Sequence, residues 1–230
     1  MGATAVRDLR SFQTMCNVTV DGVYGPATHK YLAPYFDADG IRLLKKEQAA
    51  LEQSSKRDLF LRIADLTVTH VSLFTYSEDL GEKPGDRDWF RVAPIDTTGT
   101  NWAAVVAQHG KLSTDCSAHF IGCGEHAGIP STVKSGVMDS DGATGALLDA
   151  LTKITAAQAQ PGDAVIFVGP GVAASGVHIT ILREKQPDGG WQVINMGGPG
   201  QPYYSTLSAE ASWHAQHAGA PTSVYLQLPV

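Results

Sequence analysis

Between residues 41 and 75 apolar positions recur every three or four residues. Leu59, Ile63 and Leu66, followed by His70, form one stripe, which is the spacing of a helix face. The middle of that stretch, "KKEQAALEQSSKRD", is polar all round and reads as a solvated face or a linker. Upstream, Val6, Leu9, Phe12 and Cys16 lie on one side of a short helix. Turns follow at Asp21-Gly22 and Gly25-Pro26, Pro26 starts a second helix, and Pro34 ends it. Residues 77–113 lose periodicity and are rich in Gly, Asp and Pro. They read as a long irregular segment anchored by Trp89 and Trp102. A helix is expected from Asp115 to Ala127, stopped by Gly128 and Pro130. Past Pro161 the period changes to two in "GDAVIFVG", "GVHITILRE", "WQVINMG" and "SVYLQLP". Helices first and strands last predict an α+β fold with an antiparallel sheet.

Composition narrows the function classes. A chain of 230 residues with 43% hydrophobic content suffices for one large domain, or a medium one with a small module. The net charge of −6 gives no basic field for nucleic acid or anionic lipid, so neither is expected as a partner. The opening "MGATAVRDLR" lacks an apolar signal core, and no run of about 18 apolar residues suggests a membrane span. Synthesis in a cytoplasm, with export by outside help, is the expectation. Three cysteines, Cys16, Cys116 and Cys123, are too few for a disulfide scaffold.

The densest chemistry is "LSTDCSAHFIGCGEHAGIPS", residues 112–131, where Cys116, His119, Cys123 and His126 share a helical face. Cys116 and His126 would stand about 15 Å apart along the axis. Zinc bonds of about 2.0–2.3 Å cannot span that distance, so one ion cannot collect all four and no metal site is expected. Cys116 and Cys123, about 10.5 Å apart, exceed the reach of a disulfide. The alternative is a nucleophile. Thr114 and Asp115 suit a helix cap and first turn, which places Cys116 at the positive end of the dipole. There a thiol pKa should fall, and the Cys116 N–H could help hold an oxyanion. Cys123 reads as a buried small hydrophobe. His119 and His126 read as structural, with His119 a minor rival for the base.

A thiol nucleophile needs a base, and the base needs an orienter. His178, in "SGVHITIL", shares a strand face with Thr180. Pro187-Asp188-Gly189 signals a turn. A hairpin about it with Leu182 opposite Trp191 would set His178 opposite Asn195, whose amide could fix the imidazole.

The segments "DCSAHFIGCGEHAGIP", "PGDAVIF", "GVHITIL" and "VIN" resemble, in that order, those of NlpC-type peptidoglycan peptidases. "FTYSED", residues 74–79, is similar to the segment that carries a substrate-contacting Tyr, here Tyr76. Ala118 and His119 depart from the family pattern, as does the long segment between Tyr76 and Cys116. Such long segments resemble phage lysin versions of the fold. "LRSFQTMCNVTVDGVYGPATHKYL" resembles a small helical peptidoglycan-binding module, without its usual closing Phe-Gln.

The resemblance implies a papain-like α+β domain over 56–230, a helical linker over 41–55, and a wall-binding-like module over 1–40. It implies a peptidoglycan hydrolase, endolysin-like or virion-borne, that cuts the γ-D-glutamyl–diaminopimelate bond of the stem peptide. Cys116, His178 and Asn195 would be catalytic. Tyr76, Asp115 and Ser117 would contact substrate, and no cofactor would be needed. The rivals are an amidase or acyltransferase on the same fold, and a non-catalytic wall-binding or tail structural protein.

Overall fold

A computed structural model of the chain describes residues 38–130, 142–169, 176–197, 200–217 and 222–230. The helical pair expected within 1–37, with Cys16 and the Asp21–Thr28 motif, lies outside them. The chain divides into two units, residues 1–55 and 56–230. Helix α1 spans Ala38–Thr69, so residues 41–55 lie within it. From Lys56 onward its inward stripe is Phe60, Ile63, Ala64 and Thr67, all fully buried. Leu59 and Leu66, expected in that stripe, are only half-buried. The helix ends at Thr69, short of residue 75. A 3-10 turn at Val71–Leu73 leads into strand β1, Phe74–Tyr76, where aromatic and β-branched residues favour extended backbone.

The segment 77–113 is less irregular than its sequence suggests. It holds α2 (Trp89–Val92), α3 (Trp102–His109) and β2 (Leu112–Thr114). Trp89 and Trp102 are buried, as anchors should be. Strand β2 pairs in parallel with β1, with Tyr76 opposite Thr114. It leads directly into α4, Cys116–His126. Helix α5, Gly142–Ala150, follows.

The second half forms a six-stranded antiparallel sheet. Its strands are β3 (Lys153–Ile154), β4 (Ala164–Val168), β5 (Gly176–Lys185), β6 (Trp191–Gly197), β7 (Gln201–Thr206) and β8 (Thr222–Leu226), in the order β3-β8-β4-β5-β6-β7. Helix α6, Leu207–His217, connects β7 to the last stretch. The architecture is thus the α+β arrangement expected, with α5, α6, β3 and β7 added to what periodicity revealed. Alternation along β4 and β5 sends Ile166, Ile179 and Ile181 into a core shared with Phe60, Phe120 and Leu147 of the helices. Val165, Phe167 and Leu182 pack on the other face, against Leu207 and Ala211 of α6.

Helix α4 is held by α2 at both ends and in its middle. Arg91 forms a bidentate pair with Glu125 at 2.9 and 2.7 Å, and Arg87 Nε lies 3.5 Å from Asp115 Oδ2. His126 Nε2 donates to the Phe90 carbonyl at 2.7 Å. Between these points the helices touch at Gly122, where a Cβ would come 2.6 Å from Phe90 Cδ1. His119 is buried and stacks on Phe90. The Thr67 hydroxyl donates to Ala64 O, so its oxygen accepts from His119 Nε2–H at 2.9 Å. His119 is therefore a structural imidazole, its Nε2 turned to Thr67 and Cys123 rather than to Cys116.

Two outcomes follow. Gly122→Ala should lower unfolding free energy by about 1–3 kcal/mol, the usual cost of overpacking; urea denaturation reads it. His119 is held down to about 3 by burial, against about 6.5 in an unfolded chain. Its folded value is depressed, so its stabilisation is complete above about pH 6.5 and is lost as pH falls. The loss approaches about 1.4 kcal/mol per pH unit below that point. Thermal melts from pH 7 to 4 should show a shallower decline for His119→Leu than for wild type.

Candidate active site

Asp115 is the N-cap of α4. Its Oδ1 accepts from the Ala118 N–H at 2.6 Å and from the Ser117 hydroxyl at 2.8 Å. Burial holds its carboxyl above the ordinary range, against the pull of those donors and of Arg87. Asp115 is buried, and Ser117 is only 1% exposed. Both side chains build the helix start in this geometry.

The cap puts Cys116 on the first turn of α4, half-buried and reduced. The Thr144 hydroxyl lies 4.0 Å from its sulfur, and the Ile179 and Ser117 N–H groups are near it. Each favours the thiolate. Desolvation, aided by the Asp115 charge, outweighs them and pushes the thiol up to about 12. The helix terminus therefore does not produce the depressed thiol that its sequence position suggests, because the sulfur has lost too much water. Cys123 is fully buried, and burial likewise raises its thiol.

His178 Nε2 lies 3.2 Å from Asn195 Oδ1, and both residues are buried. An amide oxygen only accepts, so Nε2 carries the proton and Nδ1 is left as the basic nitrogen of a neutral ring. Burial pushes the imidazole down, opposed by the Asn195 bond and the Glu210 charge. The expected pair is thus in contact, but through a different register. Ile181 faces Ile194 and Leu182 faces Val193. Continuing that pairing sets Gly197 opposite His178, where a Cβ would approach His178 Cε1 to 3.2 Å. The hairpin closes nearer the turn, with Lys185 opposite Trp191, and a bulge at Arg183 takes one residue back. The net slip from the expected register is two residues. An even slip keeps His178 and Asn195 on one face, and they meet diagonally.

Among the described residues, no hydrogen bond joins the Cys116 sulfur to the His178 ring. Tyr76 lies close enough to Cys116 for the sulfur's charge to help raise its phenol, after burial, the largest cause. Its hydroxyl donates to Glu78 Oε1 at 3.1 Å. Tyr76 also lines a cavity of about 540 Å³ with His178, Tyr203, Glu210, Trp213 and His214. Sequence reasoning missed Arg87, Thr144, Glu210 and His214. Only the last two carried a local signal, Glu and His four residues apart, which share a helix face.

The alkylation rate of Cys116 should keep climbing with pH well above 8, because the enclosed thiol yields little thiolate below that. Iodoacetamide labelling with peptide mapping reads it. A plateau below pH 8 would instead establish a resting thiolate–imidazolium pair.

No protein-family model matches the chain, and no curated protein matches it. Three solved structures are similar to it. The P60 domain of an antigen from M. avium paratuberculosis has a TM-score of 0.46 at 13% identity, covering 78% of this chain and 98% of that one. RipD from Mycobacterium tuberculosis, described as a non-catalytic NlpC/p60 domain protein adapted to peptidoglycan binding, gives 0.39 at 11%, covering 74% and 97%. A mutated form of the resuscitation promoting factor interacting protein RipA gives 0.43 at 15%, covering 96% and 81%.

Proposed function

We propose that residues 56–230 form a cysteine peptidase of the NlpC type that cuts the stem peptide of bacterial peptidoglycan, with residues 1–40 as a wall-binding module. The observation that carries this reading is the buried His178–Asn195 hydrogen bond on the strand that packs against the helix begun by Cys116. Asn195 holds His178 in the tautomer that leaves Nδ1 free to take the thiol proton as sulfur attacks the amide carbonyl. The Cys116 N–H, an early donor of α4, supports the oxyanion. When the tetrahedral adduct collapses, His178 returns the proton to the leaving amine. Water then hydrolyses the thioester, with His178 as base. Tyr76 stands at the substrate side. Following the motif resemblance, the bond is γ-D-glutamyl–diaminopimelate.

A second reading is a domain that holds peptidoglycan without cutting it. It is favoured by the proton-retaining thiol and the lack of a direct thiol–imidazole hydrogen bond.

Cys116→Ala should abolish wall lysis with an unchanged circular dichroism spectrum. His178→Ala should lose about 10²–10⁴-fold, the usual range for acid–base work, and Asn195→Ala less. Mass spectrometry of digested diaminopimelate-type wall should show a new amine on diaminopimelate and peptides ending in D-glutamate. A new alanine amine alone would make the chain an amidase. Wall binding without any new terminus would establish the second reading.

A further inference from the structure

His178 has neighbours that the proposed chemistry does not use. Glu210 and His214 lie one turn apart on α6, and both are buried at 7% and 4% exposure. One ring nitrogen of His178, one of His214 and a carboxylate oxygen of Glu210 all lie within 4.8 Å of one another. The two imidazoles stack at 5.1 Å between centroids, and His214 also stacks on Phe167 at 4.6 Å. His214 Nδ1 is buried with no hydrogen-bond partner. Leaving such a nitrogen unpaired is costly unless something occupies it. The Tyr203 hydroxyl, 3.4 Å from Glu210 Oε1, can orient the carboxylate.

We infer that His178, Glu210 and His214 form a binding site for a borderline divalent cation of the zinc class, which switches off the base by occupying it. Two imidazoles and one carboxylate are a donor set that zinc takes with one position left open. Bonds of about 2.0–2.2 Å in a tetrahedron set ligand atoms about 3.4 Å apart, so closing the site takes movements of little more than about 1 Å. Those are within reach of side-chain rotation on a helix and a strand. The site differs from the Cys116–His126 cluster that its helix spacing rules out. Whichever nitrogen of His178 takes the metal, catalysis stops. Nδ1 is the nitrogen that would take the thiol proton, and Nε2 is the one that Asn195 holds. The inhibitory consequence rests on the peptidase reading; the binding itself does not.

The test uses the full chain dialysed against Zn²⁺ alone, with metal analysis, and Mg²⁺ as the control. One zinc per chain should be retained and no magnesium, because magnesium prefers an all-oxygen octahedron. His214→Phe keeps the aromatic stack and removes a ligand; Glu210→Gln removes the charge. Each should weaken zinc binding more than about tenfold with an unchanged circular dichroism spectrum. Zinc should inhibit lysis by wild type, reversibly with chelator, and leave His214→Phe at its own metal-free rate. Co²⁺ in place of zinc should show no thiolate charge-transfer band. Zinc held equally by wild type and both variants would overturn the site, as would a thiolate band placing the metal on Cys116. Zinc bound through these residues in a chain that never lyses wall would keep the site and overturn the peptidase reading.

Discussion

The contact between α2 and α4 at Gly122 sets where Cys116 stands. Two helices come this close only where a side chain is missing, and here Phe90 fills that space. The Arg91–Glu125 pair and the Arg87–Asp115 contact then fix rotation and translation along the axis. Arg87, Asp88 and Arg91 are all buried. Each guanidinium would carry a large desolvation cost if its carboxylate moved away. The short α2 segment is therefore a clamp on the helix that Cys116 begins.

The sheet supplies the other half by a different rule. Position across a sheet depends on parity, so a two-residue slip leaves His178 and Asn195 on one face. A one-residue slip would have separated them. The bulge at Arg183 combines with the closing pair at Lys185–Trp191 to give that even slip. Arg183 also reaches Asp65 of α1 at 2.7 Å, which ties the bulge to the helical layer. Gly197 is needed because the diagonal meeting brings the imidazole over its backbone.

The sequence showed these two halves unequally. Strands β4, β5, β6 and β8 were legible because β-branched runs alternate between turn residues. The start of α4 was legible because Asp115 caps it. The eight-residue helix α3 and the four-residue α2 were not, since neither is long enough to display a 3.6-residue period. Strand β7 was hidden by Pro202, because proline is depleted in strands. The capping role of Asp115 and Ser117 was only half legible, because a cap and a substrate contact call for the same residue types. Glu210 and His214 fall in a helix with few apolar anchors, so their approach to His178 depends wholly on how α6 folds back on the sheet.

The protonation state of Cys116 shows why position alone does not set reactivity. A helix terminus contributes a partial charge, whereas enclosing a sulfur removes the solvation of a full one. The second effect wins here, with Asp115 adding like charge. On the peptidase reading, the first-turn N–H groups would act on a developing oxyanion at low effective dielectric, where each hydrogen bond is stronger than in solvent.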